Sequence, residues 1–264
     1  MPSSKGKKKK TTSRRIPGYF LLLVGLSIGL VFSAFALWVN LEGMSFWGYP
    51  ESISTNPDLR VEAEISRLNC PVLLAEGETD VISVMVSNPY DRATRAYVKA
   101  HISMPDRLEN MVRRTRSASL APGEETEFRW QISSENTIFD HVILARVFLK
   151  LTEGHPPART QHCGIMSVNL WGLSSNLILV LVVGSSLSFM LVGAYILWLA
   201  RSRDVKKKNL ALKVTLMIGA LTMISLVSIL FRTWEIILIA LAFVPVILFS
   251  AISYHFGRMD SQYN

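Results

Sequence analysis

Four stretches without Asp, Glu, Lys, Arg or His constrain this chain more than anything else in it: residues 19–39, 177–200, 214–231 and 236–254. Each is close to the roughly 20 residues a helix needs to cross the hydrocarbon core of a bilayer. Inside that core, only structures that satisfy their own backbone hydrogen bonds persist. The composition agrees, being 50% hydrophobic and 18% charged, where an ordinary soluble domain has about a quarter of its residues charged. Disorder goes with low hydrophobicity and is excluded.

The formal net charge of +8 would suggest a nucleic-acid partner only if it covered a folded surface. It does not. Lys5, Lys7, Lys8, Lys9, Lys10, Arg14 and Arg15 crowd residues 1–16 without an acid. Arg201, Arg203, Lys206, Lys207, Lys208 and Lys213 meet only Asp204 in 201–213. Residues 40–175 hold 13 cations against 17 acids. A Lys/Arg excess beside apolar spans marks the cytoplasmic side, so no nucleic acid is expected. The expected order is a basic cytoplasmic tail 1–16, a first span 17–39, an extracytoplasmic domain 40–175 with its core in 58–170, and a second span 176–200. A basic cytoplasmic loop 201–213, spans 214–231 and 236–254 and a cytoplasmic tail 255–264 follow, with Arg232–Glu235 as a tight outer turn. The location this implies is a cell inner (plasma) membrane. Trp38, Trp47, Trp171, Trp198 and Trp234 fall at or near span ends, as interfacial aromatics do.

The first span has a competing reading. A basic start, an apolar run and Ala34-Phe35-Ala36 together resemble a cleavable signal peptide. The run continues through Leu37-Trp38-Val39, which favours an uncleaved anchor. Gly25, Gly29 and Ser33 recur every fourth residue, and Gly184 and Ser188 repeat the spacing in the second span. Small residues on one face let a second helix approach closely, within the chain or in a partner subunit, although membrane helices are also simply rich in Gly. Proton relays and ion paths need ionisable groups at depth, and these spans contain none. Pro245 in the last span would kink a helix without making a path.

Residues 40–175 read as β structure. Apolar and polar residues alternate in 59–65, in Ile82, Val84 and Val86, in Ala96, Val98, Ala100 and Ile102, and in Phe128, Trp130 and Ile132. Residues 142–151 are mostly apolar, and 159–168 supply a last strand. Glu76-Gly77, Asn88-Pro89, Met104-Pro105, Pro122-Gly123 and Pro156-Pro157 give turns between them. Six or seven short strands with such spacing predict an antiparallel sandwich.

Two turns carry a resemblance. Leu74-Ala75-Glu76-Gly77-Glu78-Thr79 opens one strand and Leu120-Ala121-Pro122-Gly123-Glu124-Glu125-Thr126 opens another, while Val84-Met85-Val86-Ser87-Asn88 ends a strand on Asn. Over about 58–170 the chain resembles bacterial immunoglobulin-like surface sandwiches, including the CARDB-type and fibronectin-III-like modules. The resemblance implies a scaffold or binding module; no family is matched over the whole chain. Cys70 follows the first strand and Cys163 lies in the last. An oxidising extracytoplasmic compartment allows them to form a disulfide.

His162-Cys163-Gly164-Ile165-Met166 is the one stretch with metal-ligand residue types, and blue copper uses His, Cys and Met on a β-sandwich. The His normally found between Cys and Met is missing here, leaving His101 or His141 to complete a set, so disulfide plus surface His is the plainer reading. His155 lies in a loop and His255 at a membrane end. Arg113, Arg114 and Arg116 form a basic patch that could bind an anionic ligand or acidic partner, or a solvated strand face balanced by Glu109, Glu124 and Glu125. No nucleophile elbow, phosphate-binding glycine loop, HExxH or Cys-x-x-Cys occurs, and no cofactor is expected. The expectation is a non-enzymatic multi-pass membrane protein, with four transmembrane helices and an extracytoplasmic immunoglobulin-like sandwich. It would make protein–protein contacts as an accessory or assembly subunit, with the lipid bilayer and membrane-protein subunits as partners. An envelope-polymer sensor and a copper or other membrane enzyme are the alternatives.

Overall fold

The structure, a computed structural model, describes residues 5–46, 64–105, 111–150, 159–170, 172–199 and 210–260. Trp47, Trp171, His155, residues 59–63 of the expected first strand, Pro156-Pro157 and most of the basic loop 201–213 lie outside them. The chain divides into a helical unit (Met1–Leu37 with Ile178–Asn264) and a sheet-rich unit (Trp38–Leu177).

The helical unit contains most of α1 (Lys5–Phe46), α2 (Ser175–Leu199), α3 (Leu210–Phe231) and α4 (Trp234–Asp260). Among the described residues, three apolar segments are long enough to cross a membrane: Ile16–Gly43, Ser175–Leu199 and Lys213–Phe231. The described apolar part of α4, Trp234–Ser250, is shorter. α3 and α4 meet in the tight turn that the sequence suggests. Arg232 takes the left-handed conformation (φ 58°), and the Thr233 N–H donates to the Ser228 carbonyl at 3.0 Å, closing the end of α3. All four helices contribute to one apolar cluster around Leu22, Leu26, Met190, Leu197 and Ile218, with Val244 and Ile247 packed against it.

The sheet-rich unit has eight strands: β1 (Glu64–Asn69), β2 (Leu73–Ala75), β3 (Thr79–Ser87), β4 (Thr94–Ser103), β5 (Met111–Leu120), β6 (Glu125–Ser133), β7 (Val142–Lys150) and β8 (Arg159–Val168). They form a three-stranded sheet β1-β3-β6 and a five-stranded sheet β2-β8-β7-β4-β5, antiparallel except where β2 runs parallel to β8. The alternation in the sequence is the cause. Ile82, Val84 and Val86 of β3 and Phe128, Trp130 and Ile132 of β6 are buried, as are Ala96, Val98, Ala100 and Ile102 of β4. With Ile143, Ala145, Val147, Leu149 and Ile165, they make a single apolar cluster drawn from both sheets. Side chains at every second position reach it because successive residues of a strand point to opposite faces.

One strand, β2, was not expected; it is three residues long. β5 carries the three arginines, as the reading of them as a strand face has it. Of the expected first strand, the described part is Glu64–Asn69. The turn motifs meet in space: the Asn88 side chain is buried and donates to the carbonyls of Arg92 (2.8 Å), Leu120 (3.2 Å) and Ala121 (3.0 Å). The Gly123 N–H donates to the Asn88 carbonyl at 2.9 Å. One asparagine thus satisfies buried backbone acceptors from two connections.

Candidate functional site

The stretch singled out for metal chemistry performs separate tasks on the two faces of β8. Cys163 points into the core and is bonded to Cys70, with the Cα atoms 6.7 Å apart and 93 residues between them in sequence. The bridge ties the end of β1 to β8, one strand from each sheet. A sulfur held this way is no thiolate ligand, and the bridge is the one the plainer reading of the sequence expects. Met166 is buried. His162 points away from the core and stands opposite Arg146 in the β7–β8 register. Burial, and then the Arg146 charge, hold its imidazole below the ordinary histidine pKa. Among the described residues, no group of three or more His, Cys, Asp or Glu side chains is placed to hold a metal ion.

Gly164 makes room for a helix. A Cβ there would lie 2.1 Å from the Val39 carbonyl oxygen, and one on Gly43 would lie 3.3 Å from the Gly164 nitrogen. The last turns of α1 therefore rest directly on β8 backbone, and only glycine at 164 permits it. Glu42, one turn along α1, accepts from His141 Nε2 at 2.9 Å. The other ring nitrogen of His141 contacts the Phe139 carbonyl. Phe46 meets the Phe139 ring edge-on, with centroids 6.2 Å apart. Phe139 and Asp140 hold left-handed φ values of 53° and 61°, a conformation that costs a non-glycine residue energy. The Ile138 N–H to Val142 carbonyl bond, 2.7 Å long, closes that turn. Sequence reasoning missed this seat entirely, because neither Gly43 nor Gly164 belongs to a recognisable motif.

A second anchoring point lies at the start of α2. The Glu78 carboxylate accepts from the Ser175 hydroxyl, from the Ser175 N–H at 3.1 Å and from the Ala75 N–H at 3.4 Å. The Ala75 N–H also donates to the Ser175 hydroxyl oxygen at 2.7 Å. The Ser175 hydroxyl, above all, holds the Glu78 carboxyl below the usual range. A carboxylate at the first turn of a helix also suits the positive end of the helix dipole.

The two sheets differ sharply in charge. Strands β4, β5, β7 and β8 carry Arg95, Lys99, Arg113, Arg114, Arg116, Arg146, Lys150 and Arg159 and not one Asp or Glu. Strands β1, β3 and β6 carry Glu64, Asp80, Glu125 and Glu127 against Arg67 and Arg129. Across β5, β4, β7 and β8 the register lines up Arg113, His101, Arg146 and His162 in one row on the outer face. Arg146 is buried and its guanidinium lies 4.6 Å from the Phe148 ring centroid, a cation–π contact. The His101 ring stands edge-on to Phe148 at 4.7 Å.

Pleating corrects the compact basic patch. Arg114 and Arg116 pair with Ala100 and Val98, whose side chains face the core, whereas Arg113 pairs with His101 on the outer face. The three cations therefore lie on both faces of one edge strand. Arg113, Arg114 and Arg116 are all exposed.

In the helical unit, the face of Gly25, Gly29 and Ser33 packs against the chain's own helices. A Cβ on Gly25 would lie 2.7 Å from the Ser186 carbonyl oxygen, and one on Gly29 would lie 2.6 Å from Thr222 Cγ2. Ser33 is fully buried. The Ser186 hydroxyl donates to the Gly25 carbonyl at 2.8 Å. The second expected pair lies elsewhere: Gly184 has nothing within 4 Å of its would-be Cβ, and Ser188 is exposed. The contact face of α2 runs instead through Ser186, Met190 and Gly193, where a Cβ on Gly193 would meet the Leu22 nitrogen at 2.7 Å.

No protein-family model matches the chain, and no curated protein does. Among solved structures, the chain is similar to the CARDB domain of a Pyrococcus furiosus protein in complex with di-metal ions. That likeness has a TM-score of 0.32 and 11% identity, covering 42% of this chain and 97% of that one. A β-glucosidase from Listeria innocua matches with a TM-score of 0.30 and 18% identity, over 42% of this chain and 16% of that enzyme. An alkylpurine DNA glycosylase from Pseudomonas fluorescens matches at 0.31 and 12%, over 40% of this chain and 30% of that one. A CARDB domain, the module type whose turn motifs the sequence resembles, is thus among the similar structures. None of these likenesses carries an argument about activity.

Proposed function

We propose that this chain is a non-enzymatic, multi-pass membrane protein whose outer domain makes protein–protein contacts, as an accessory or assembly subunit of a membrane complex. In this reading α4 is a fourth span, and the basic N-terminal tail, the 201–213 loop and the tail 255–264 are cytoplasmic. The two sheets are an immunoglobulin-like sandwich on the far side of a cell inner membrane. The pairing order supports the sandwich: β1-β3-β6 and β2-β8-β7-β4-β5 split the edge strands as such domains do. The disulfide supports an oxidising compartment.

One observation carries the functional reading. Of the groups the sequence offers for metal chemistry, Cys163 is bonded to Cys70, His141 is held by Glu42, and Met166 is buried. What the domain presents outward is sheet surface and loops, the parts of a scaffold that make contacts. Purification of the whole chain in mild detergent should bring down a stoichiometric partner, and a monodisperse chain without one would refute the accessory role. A membrane-impermeant maleimide should label a Thr115→Cys variant in sealed cells. Labelling only after lysis would place the domain inside.

A further inference from the structure

We infer that the open edge of β5 is a docking strand for an acidic, extended segment of a partner protein. This rests on the contact function proposed above and names the chemistry of the partner. Among the described residues β5 is the last strand of its sheet and pairs with β4 alone, so its other edge offers a row of backbone donors and acceptors to an added strand. Arg114 and Arg116 flank that edge on one face and Arg113 on the other, so a strand laid beside β5 meets cations whichever way its side chains alternate. Among the described residues, neither Arg114 nor Arg116 makes an ion pair. The neighbouring strand adds Lys99 and Arg95, the latter lying 5.2 Å over the Tyr97 ring, and no acid occurs in β4, β5, β7 or β8.

Charge also selects the occupant. In a second copy pairing antiparallel through β5 about Thr115, Arg114 would stand opposite Arg116 twice, and like charges directly opposed destabilise a strand pair. Inward-pointing charges are a known way to keep edges from self-association, and here they exclude a copy of this chain while favouring carboxylates. Arginine is suited to that role because its planar fork holds a carboxylate by two bonds.

The test uses the full chain in detergent and a fluorescent ten-residue peptide with Glu at alternate positions between Val and Thr. Three comparison peptides carry Lys for Glu, the same residues scrambled so that the acids cluster at one end, or N-methyl groups on alternate amides. The acidic peptide should bind, and the Lys and N-methyl peptides should bind about tenfold or more weakly, because one loses charge complementarity and the other the strand hydrogen bonds. R114E/R116E should lose acidic-peptide binding by a similar factor and gain the Lys peptide. R67E, a charge reversal on the other sheet, should change neither. Equal binding of the scrambled or N-methyl peptide overturns the docking strand, as does no binding of the acidic peptide at low salt. A partner that co-purifies equally with wild type and R114E/R116E overturns this inference and leaves the accessory role standing. The absence of any co-purifying partner overturns that role itself.

Discussion

Removing the Cys70–Cys163 bridge should cost the sheet-rich unit about a third or more of its stability margin. The bond closes a loop of 93 residues. In the chain-entropy account, a loop of that size restricts the unfolded chain by about 4.7 kcal/mol at 25 °C. Both cysteines are buried, at 3% and 6% exposure, so Ala at both positions also leaves small voids that add to the loss. A domain of this size typically has 5–15 kcal/mol to spare. C70A/C163A should therefore fold with a much smaller margin. Hydrogen exchange read by mass spectrometry on the full chain in detergent measures this locally. Amides of β7, in the sheet interior, exchange mainly through unfolding of the whole unit. At 1.4 kcal/mol per decade, their exchange should quicken by about three orders of magnitude, and reductant on the wild-type chain should reproduce the change. If β7 amides in C70A/C163A exchange within tenfold of wild type, the loop constraint is not what holds the two sheets together and the reasoning fails.

Four further outcomes follow from the geometry. Gly164→Ala places a Cβ against the Val39 backbone and should destabilise the sheet-rich unit by about 1–3 kcal/mol; Gly43→Ala, with a 3.3 Å neighbour, should cost less, both read as melting temperature. Gly29→Leu should lower the detergent melting temperature of the helical unit, because Thr222 and Ser186 already crowd that position, whereas Gly184→Leu, in open space, should leave it unchanged. Glu78 has a lowered folded pKa, so the stability it gives is present above its unfolded value near 4.5 and is lost as pH falls through the lower folded value. Glu78→Gln should cost about 1 kcal/mol at pH 7 and flatten a chemical-denaturation profile at acid pH. His162 is also depressed in the folded state, so below its ordinary value of 6.5 the unfolded chain takes up the proton first and stability drops as pH falls. His162→Gln should reduce that slope between pH 7 and 5.

The parts of the fold legible in the sequence were those whose pattern follows from complete burial on one side. β3, β4 and β6 alternate cleanly because one face of each meets the core, and the long apolar helices were visible because no charge interrupts them. β5 was legible only as a solvated strand face at its arginines, without the clean alternation, because an edge strand is covered on only part of its inner face, so Arg114 and Arg116 can stand where β4 and β6 must have apolar residues. β2 escaped notice because three residues cannot establish a period; its place is set by parallel pairing with β8. The Gly25–Gly29–Ser33 face was readable from spacing, but Gly184 and Ser188 show that the same spacing also arises on a helix face with no neighbour. The seat at Gly164 left no local signal. It depends on Val39 and Gly43, more than 120 residues away, and distance in sequence is what a motif cannot express.

β8 occupies the position on which the rest of the sheet-rich unit converges: it lies between β2 and β7, holds one sulfur of the bridge, and receives the end of α1 at Gly164. It is also the last strand to leave the ribosome. Cys70 must wait for a partner made 93 residues later, a delay of roughly 5–20 s at ordinary elongation rates. With only two cysteines in the chain, nothing within the molecule can capture Cys70 prematurely, so the hazard in that interval is a neighbouring nascent chain. Joining of the two sheets is therefore decided at the end of the sheet-rich unit, and a chain cut short before β8 would have its sheets unjoined and the end of α1 unseated.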